Sequence, residues 1–465
     1  MAKMNKKQKV FIFLLIFLII FFCSYFLYRI NEPRDLNVIL INMDALRPDH
    51  LGCYGYKRDT SPNIDKLVKE GIIFTQAISQ SSHTAPSNTS LITSTYPNVH
   101  NVKDWGYQLN SKAPLYTLPE ILKKHGYTTA LISDQISFSL IKAMKRVFVT
   151  YTTLLSTTYG PTGKLINEIT DWAIDWLSSN KDKKFFLWLY YLNPHAPYRP
   201  PKPYDKIFLN DEYYNIKKSV PLSDDPWDQT PIGKIPRFLA ENNITDVDYY
   251  ISQYDGEIRY TDSQIGRLYE ALKKLRLDKK TIIIITSDHG EAMGEHNLYF
   301  RHCTFLYDEL IKVPLMIRFN KTIPSGKKID TQVRSIDIMP TILDILNINP
   351  KNFNALQGRS LLPLIASERC AFPPFAYSEF LNRKSVRGNG WKLIYDKNNQ
   401  EFELYSLKED PQETNNLIDK ERDQFEYLKK KLDEYIQQAD SGSGIEKQNI
   451  DESDKEKLRS LGYSQ

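Results

Sequence analysis

Residues 37–44 read Asn-Val-Ile-Leu-Ile-Asn-Met-Asp, a short apolar run that ends on a carboxylate. A strand with one face in water alternates apolar and polar side chains. This run does not alternate, so it reads as a strand buried on both faces, and such strands belong to sheets covered by helices on either side. The same texture recurs at residues 128–133 (TTALIS), 185–192 (FFLWLYYL), 281–286 (TIIIIT) and 314–319 (PLMIRF). Between these runs, residues 63–70, 117–125, 164–179 and 249–275 carry apolar side chains at helical spacing with charged opposite faces. The order of elements predicts an α/β fold with a sheet between helices.

After about residue 363 the texture changes. Residues 385–395 and 401–407 (EFELYSL) predict a small antiparallel unit, 422–438 a charged helix, and Ser441-Gly442-Ser443-Gly444 a linker to a short tail. The expected organisation is a cytoplasmic segment at 1–9, a transmembrane anchor at 10–28, a main domain at 36–365, a C-terminal subdomain at 366–440, and a linker and tail at 441–465. Residues 200–236, rich in proline, charge and tyrosine, read as a long surface excursion.

The anchor is expected because residues 10–27 (VFIFLLIFLIIFFCSYFL) are apolar and uncharged, close to the length that crosses a hydrocarbon core of about 30 Å. A cleaved signal peptide needs a shorter apolar stretch and a small-residue exit, and Phe22 stands two residues before Ser24. Lys3, Lys6, Lys7 and Lys9 ahead of the run place the N-terminus in the cytoplasm, which predicts a single-pass membrane protein with its remainder outside. Those lysines also account for four of the +5 net charge of the 465 residues, so composition argues against a nucleic-acid partner. The 41% hydrophobic content suffices for a large core, and the four cysteines show no paired spacing for zinc or thiol exchange.

In open α/β sheets, chemistry gathers past the carboxyl ends of strands. Three expected strands deliver polar residues there: 37–42 runs into Asp44, 281–286 into Ser287-Asp288-His289-Gly290, and 185–192 into Asn193-Pro194-His195. Two carboxylates and two imidazoles at neighbouring strand ends have the composition of a divalent-metal site facing an anion. An aspartate in such a place also serves as a helix cap or turn former, and the residues alone leave both readings open.

Residues 37–102, with NVILINMDALRPDHLGCYGYKRDTSPNIDKL and then SHTAPSNTSLITSTYPNVHNV, resemble the N-terminal signature of the sulfatase family in the alkaline phosphatase superfamily. The likeness continues through Asn193-Pro194-His195, Tyr254-Asp255-Gly256-Glu257, Ser287-Asp288-His289-Gly290-Glu291, Gly294-Glu295-His296, Asp337-Ile338-Met339-Pro340-Thr341 and Gly358-Arg359-Ser360. It implies an alkaline-phosphatase-like mixed sheet flanked by helices, a small C-terminal antiparallel sheet, and metal-dependent hydrolysis of sulfate or phosphate esters. By position, Asp44, Asp288 and His289 match the family's metal ligands. His195 and His302 stand near the positions of family residues that contact the anion or protonate the leaving group, with loop hydrogen bonding as the plainer role, and Asn88 is a candidate hydrogen-bond donor to the anion. For His296 the plainer reading is a cap on the turn at 290–294, and for Arg47 and Asp49 it is a structural pair.

Two departures bear on mechanism. Sulfatases carry C-x-P-S-R or S-x-P-S-R, whose first residue becomes formylglycine; here the place reads Thr84-Ala85-Pro86-Ser87-Asn88. The resemblance then points to branches with an unmodified threonine nucleophile, the phosphodiesterases, phosphoglycerol transferases and phosphoethanolamine transferases. Arylsulfatases also place G-K-W-H after the strand at 128–133, where this chain has Ser133-Asp134-Gln135. None of the eight histidines follows an aspartate by four residues, which removes the second site of two-zinc relatives and leaves one divalent cation, Mg²⁺, Mn²⁺ or Ca²⁺, with zinc also compatible. The expected function is a hydrolase or phosphotransferase acting outside the cytoplasm through a Thr84 covalent intermediate. Its substrate would be a phosphate, phosphodiester or sulfate ester on a lipid, glycan or envelope-polymer head group. Alternatives are a catalytically inactive surface binding module, or a sulfuric ester hydrolase with a nucleophile other than formylglycine.

Overall fold

The structure is a computed structural model describing residues 35–439, apart from 108, 111, 135–149, 155–165, 210–217, 226–231, 241, 320–324, 354 and 369–370, together with residue 455. The main sheet contains, among the described residues, nine strands: β1 (Asn37–Met43), β2 (Gly71–Ile78), β3 (Thr128–Asp134), β4 (Thr150–Leu154), β5 (Phe185–Tyr191), β6 (Thr281–Thr286), β9 (Lys312–Arg318), β10 (Lys327–Ile329) and β11 (Val333–Arg334). The strands run in the order β10-β2-β9-β6-β1-β5-β3-β4, with β11 also on β2, and the pair β7 (Ala292–Met293) and β8 (Tyr299–Arg301) stands apart. β9 runs antiparallel to both of its neighbours, β2 and β6, while the remaining pairs are parallel, which makes the sheet mixed.

Two-sided burial is visible residue by residue. Ile39, Ile41 and Met43 of β1 and Phe185, Leu187 and Leu189 of β5 point into one apolar layer, with helices α1 (Pro62–Lys69), α4 (Ile166–Ser179) and α5 (Val247–Lys274). Val38, Leu40, Phe186, Trp188 and Tyr190 point into the other, with α2 (Thr84–Thr93), α3 (Leu118–Lys124) and α6 (Ile338–Ile345). Period-two alternation along a pleated strand assigns each side chain to a layer, so the apolar runs report the sandwich directly. The small sheet is β12 (Phe375–Phe380), β13 (Arg383–Gly388), β14 (Trp391–Asp396) and β15 (Glu401–Ser406), antiparallel throughout. It is covered by α7 (Arg422–Ala439), whose Phe425, Leu428, Leu432 and Tyr435 form one buried stripe.

The single-pass membrane placement expected from the sequence is corrected. Among the described residues no helix is long and apolar enough to cross a membrane. The longest of them, α5, spans 28 residues and carries Asp248, Asp255, Glu257, Arg259 and Asp262, charges that a hydrocarbon core excludes. The expected anchor at 10–28 and segment at 1–9 lie outside the described residues, as does most of the tail at 441–465.

Candidate active site

The neighbouring strands β1, β5 and β6 are in register, with Asn42 opposite both Tyr190 and Thr286, so their carboxyl ends deliver side chains to one place. The turn after β1 is fastened to the turn after β6. Ala45 N donates to Asp288 Oδ1 at 3.3 Å and Leu46 N to Ser287 Oγ at 3.0 Å. Asp44 N donates to Tyr191 O at 2.9 Å, tying the same turn to β5.

Asp44, Asp288 and His289 each bring one ligand atom into a group whose members all lie within 4.8 Å of one another. His289 Nε2 is 3.4 Å from Asp44 Oδ1 and 3.8 Å from Asp288 Oδ2. His289 Nδ1 lies 2.9 Å from Gly290 O, and a carbonyl only accepts, so Nδ1 holds the proton and the Nε2 lone pair faces the carboxylates. That tautomer, with two buried carboxylates whose mutual repulsion a cation relieves, fits a divalent metal. Tyr190 Oη lies 2.5 Å from Asp44 Oδ2 and 3.2 Å from Asp288 Oδ2, donating its proton to the nearer.

Thr84 is the first residue of α2, and its Oγ1 stands 3.1 Å from His289 Nε2. The structure thus brings the expected nucleophile and the expected ligand set together from segments some two hundred positions apart. Asn88, one turn on, was expected to donate to the anion. Its Nδ2 instead donates to Thr84 O and Asp288 Oδ2, both at 3.0 Å, and its Oδ1 accepts from Asn42 Nδ2 at 2.8 Å. It braces α2 against two strand ends.

His302 and His195 border the same group. The His302 ring stacks on His289 at 4.3 Å and meets His195 edge-on at 4.7 Å. His302 Nδ1 lies 3.3 Å from Glu291 Oε1, and His195 Nδ1 donates to Ala196 O at 2.6 Å. Burial, with His289 and His195 adding like charge, holds the His302 imidazole well below its ordinary range. Sequence reasoning missed Tyr190, Glu291 and Asn42. For Tyr190 a signal existed, since it stands near the carboxyl end of the apolar run 185–192 that leads into Asn193-Pro194-His195.

Arg47 pairs with Asp49 at 2.7 Å and Glu295 at 2.8 Å, as its structural reading expects. His296 stacks on Tyr307 at 3.5 Å in the turn before β8. Arg47, Asp49 and Glu295 line a polar cleft of about 490 Å³ between the two sheets, and none of Thr84, Asp44, Asp288 and His289 lines it.

Comparison with known proteins bears on this geometry. A family model described as Sulfatase matches residues 36–348, and one described as N-sulphoglucosamine sulphohydrolase, C-terminal, matches residues 294–441. The chain is 26% identical to an N-acetylglucosamine-6-O-sulfatase of Bacteroides thetaiotaomicron, over 86% of this chain and 85% of that protein. It is 28% identical to human iduronate 2-sulfatase, over 74% of this chain and 72% of that protein. Among solved structures, a protein in complex with its substrate D-glucosamine-2-N,6-O-disulfate superposes with a TM-score of 0.73 at 23% identity, covering 88% of this chain and 99% of that one. A phosphonate monoester hydrolase of Agrobacterium radiobacter superposes with a TM-score of 0.69 at 19% identity, covering 90% and 98%.

Proposed function

The chain belongs to the sulfatase family and is an ester hydrolase of that family, and on this premise we propose that it cleaves sulfate esters of a saccharide, with Thr84 as nucleophile and a divalent cation held by Asp44, Asp288 and His289. The observation that carries the reading is the 3.1 Å approach of Thr84 Oγ1 to His289 Nε2, inside a group of two carboxylates and an imidazole. The sulfated sugar comes from the relatives, an N-acetylglucosamine-6-O-sulfatase and an iduronate 2-sulfatase, and from the D-glucosamine-2-N,6-O-disulfate bound in the similar solved structure.

A divalent cation held by Asp44, Asp288 and His289 would supply positive charge beside the Thr84 oxygen and the ester oxygens. Thr84 Oγ1 attacks the sulfur in line and gives its proton to an imidazole; the Oγ1–S bond forms as the bond to the leaving alcohol oxygen breaks and that oxygen takes up the proton, and water then attacks the sulfur of the Thr84 ester, its proton returning to Oγ1 as the Oγ1–S bond breaks and sulfate leaves. His195 and His302 contact the anion and handle the protons of the alcohol and the water. Asn88 and Tyr190 keep Thr84, Asp44 and Asp288 in place. Formylglycine has no part, because oxidation at Cβ of a threonine would give a ketone rather than the aldehyde.

A second reading is hydrolysis of phosphate or phosphonate esters. It is favoured by the threonine itself, by Ser133-Asp134 where arylsulfatases carry lysine and histidine, and by the phosphonate monoester hydrolase neighbours.

The test is a panel of N-acetylglucosamine 6-sulfate, 4-nitrophenyl sulfate, a 4-nitrophenyl phosphonate monoester and a phosphodiester, run on wild type and Thr84→Ala. The better sulfate or phosphonate substrate separates the two readings. Thr84→Ala is expected to lose on the order of 10³-fold in kcat at about 1.4 kcal/mol per tenfold, while circular dichroism stays unchanged. A folded Thr84→Ala variant keeping more than about a tenth of the rate overturns the nucleophile assignment. Chelation is expected to abolish turnover and Mg²⁺, Mn²⁺ or Ca²⁺ to restore it; full turnover in excess chelator, with metal analysis finding none bound, removes the cation from the proposal.

A further inference from the structure

His83 is an unusual residue at the start of a helix. It is the N-cap of α2, with extended backbone angles of φ −139° and ψ 140°, and its Nδ1 accepts from Ala85 N at 3.3 Å. Serine, threonine, asparagine or aspartate would do this with a smaller side chain. Because Nδ1 accepts, the proton sits on Nε2, which points at Asp104 Oδ1, 3.4 Å away. The ring is buried, stacked on Phe380 at 4.9 Å and 9°, with Trp105 edge-on at 5.2 Å. A cap that needs an aromatic shelf and a carboxylate ties the first turn of α2 to two other parts of the chain.

One of those parts is the small C-terminal sheet. Phe380 ends β12, and the same strand holds the segment leading to Thr84 at two further points. Ser378 Oγ donates to Ser79 O at 2.5 Å, and Glu379 N donates to Gln80 O at 2.9 Å. From the other side, Cys303 N donates to Ser82 O at 3.0 Å and Ser79 Oγ to Asp288 O at 2.5 Å. Residues 79–83 are therefore clamped at every second position or closer, and the last clamp before Thr84 is the stack of His83 on Phe380.

We propose that His83 and Phe380 are positioning residues for Thr84: the C-terminal sheet, through this ring stack, sets where the Thr84 hydroxyl stands against His289. The inference rests on the Thr84 nucleophile reading. Displacing a nucleophile by about 1 Å costs on the order of 10²-fold in rate even when substrate still binds, so the signature is a loss in kcat with KM preserved.

Four variants test it, on the best ester of the panel. His83→Asn keeps a capping oxygen and removes the ring; it is expected to lower kcat by about 10- to 100-fold with KM within about 3-fold of wild type. Phe380→Leu leaves His83 in place and removes the shelf; it is expected to lower kcat by about 10-fold, and Phe380→Tyr, which rebuilds the shelf, to recover most of that loss. The double variant His83→Asn/Phe380→Leu is expected to be no slower than His83→Asn alone, because both changes break one coupling. Independent structural damage would instead multiply.

Wild-type kcat in a folded His83→Asn variant, a multiplicative double variant, or a Phe380→Tyr variant as slow as Phe380→Leu overturns the proposal while an inactive Thr84→Ala leaves the nucleophile reading standing. An active Thr84→Ala variant overturns both. If His83→Asn does not fold, the Phe380→Leu and Phe380→Tyr comparison decides alone.

Discussion

At the scale of single residues, imidazoles are set by what their second nitrogen meets. His289 gives Nδ1–H to the Gly290 carbonyl and so turns Nε2 toward Asp44 and Asp288, whereas both nitrogens of His100 are taken up by Val102 and Ser90. His100 Nδ1 accepts from Val102 N at 3.1 Å, and its Nε2–H donates to Ser90 Oγ at 2.9 Å, joining the middle of α2 to the short helical turn Pro97–His100. Burial pushes the His100 imidazole from its usual 6.5 down to about 3. The folded value lies below the unfolded one, so the unfolded chain binds the extra proton; this contribution is complete above about pH 6.5 and is lost as pH falls toward about pH 3. Buried His83 and His302 shift the same way. Lowering pH from about 7.5 to about 5.5 is therefore expected to destabilise the wild type, with His100 contributing on the order of 1 kcal/mol. Replacing His100 by Asn should flatten the dependence by that amount, read from urea midpoints at both pH values. An unchanged slope would assign the acid sensitivity to other groups.

At the scale of elements, the short turn after β6 carries Asp288 and His289 and depends on one close approach. Gly290 N donates to Leu310 O at 2.8 Å, and a Cβ on Gly290 would stand 2.0 Å from the Glu309 carbonyl oxygen. Backbone cannot yield as a side-chain tip can. Gly290→Ala is expected to cost about 1–3 kcal/mol and to drag the adjacent His289 out of line. Calorimetry should show a lower melting temperature together with weaker Mn²⁺ binding; a variant that loses stability yet binds Mn²⁺ as wild type does would mean that the turn absorbs the shift elsewhere. The elements differed in how plainly the sequence announced them. β1 and β6 were legible because burial on both faces leaves uninterrupted apolar runs. β2 was not, because Thr75 and Gln76 interrupt it where its pairing with β9 shifts register. α2 was not either: every residue of Thr84–Thr93 is buried, mostly polar groups bonded to one another and to neighbouring elements, so the helix has no solvent face to give it a period.

At the scale of the whole molecule, the two sheets share cores and charges. Tyr96 and Ile336 of the larger part pack in one cluster with Val386, Leu393 and Leu404 of the small sheet and Phe425, Leu428 and Leu432 of α7. Asp308 binds Arg387 at 2.8 Å and the buried Lys392 at 3.0 Å across the same seam. A chain cut after residue 365 would expose that cluster and leave Asp308 without either partner, so it is expected to lack a cooperative thermal transition. A sharp transition with dispersed amide resonances would show that the larger part folds alone. The sequence by itself determined the layered α/β fold, the antiparallel C-terminal unit and the strand ends carrying Asp44, Asp288 and His289, because strand burial is a property of neighbouring residues, whereas Thr84 stood out only through the resemblance of its segment to a family motif. Only the tertiary structure decided that Asn88 and Tyr190 are spent on holding that group, that Glu291 meets His302, and that Phe380 lies on His83. Those are contacts between residues 98 to 297 positions apart or on separate turns, and no local period records which distant backbone will arrive beside a given side chain.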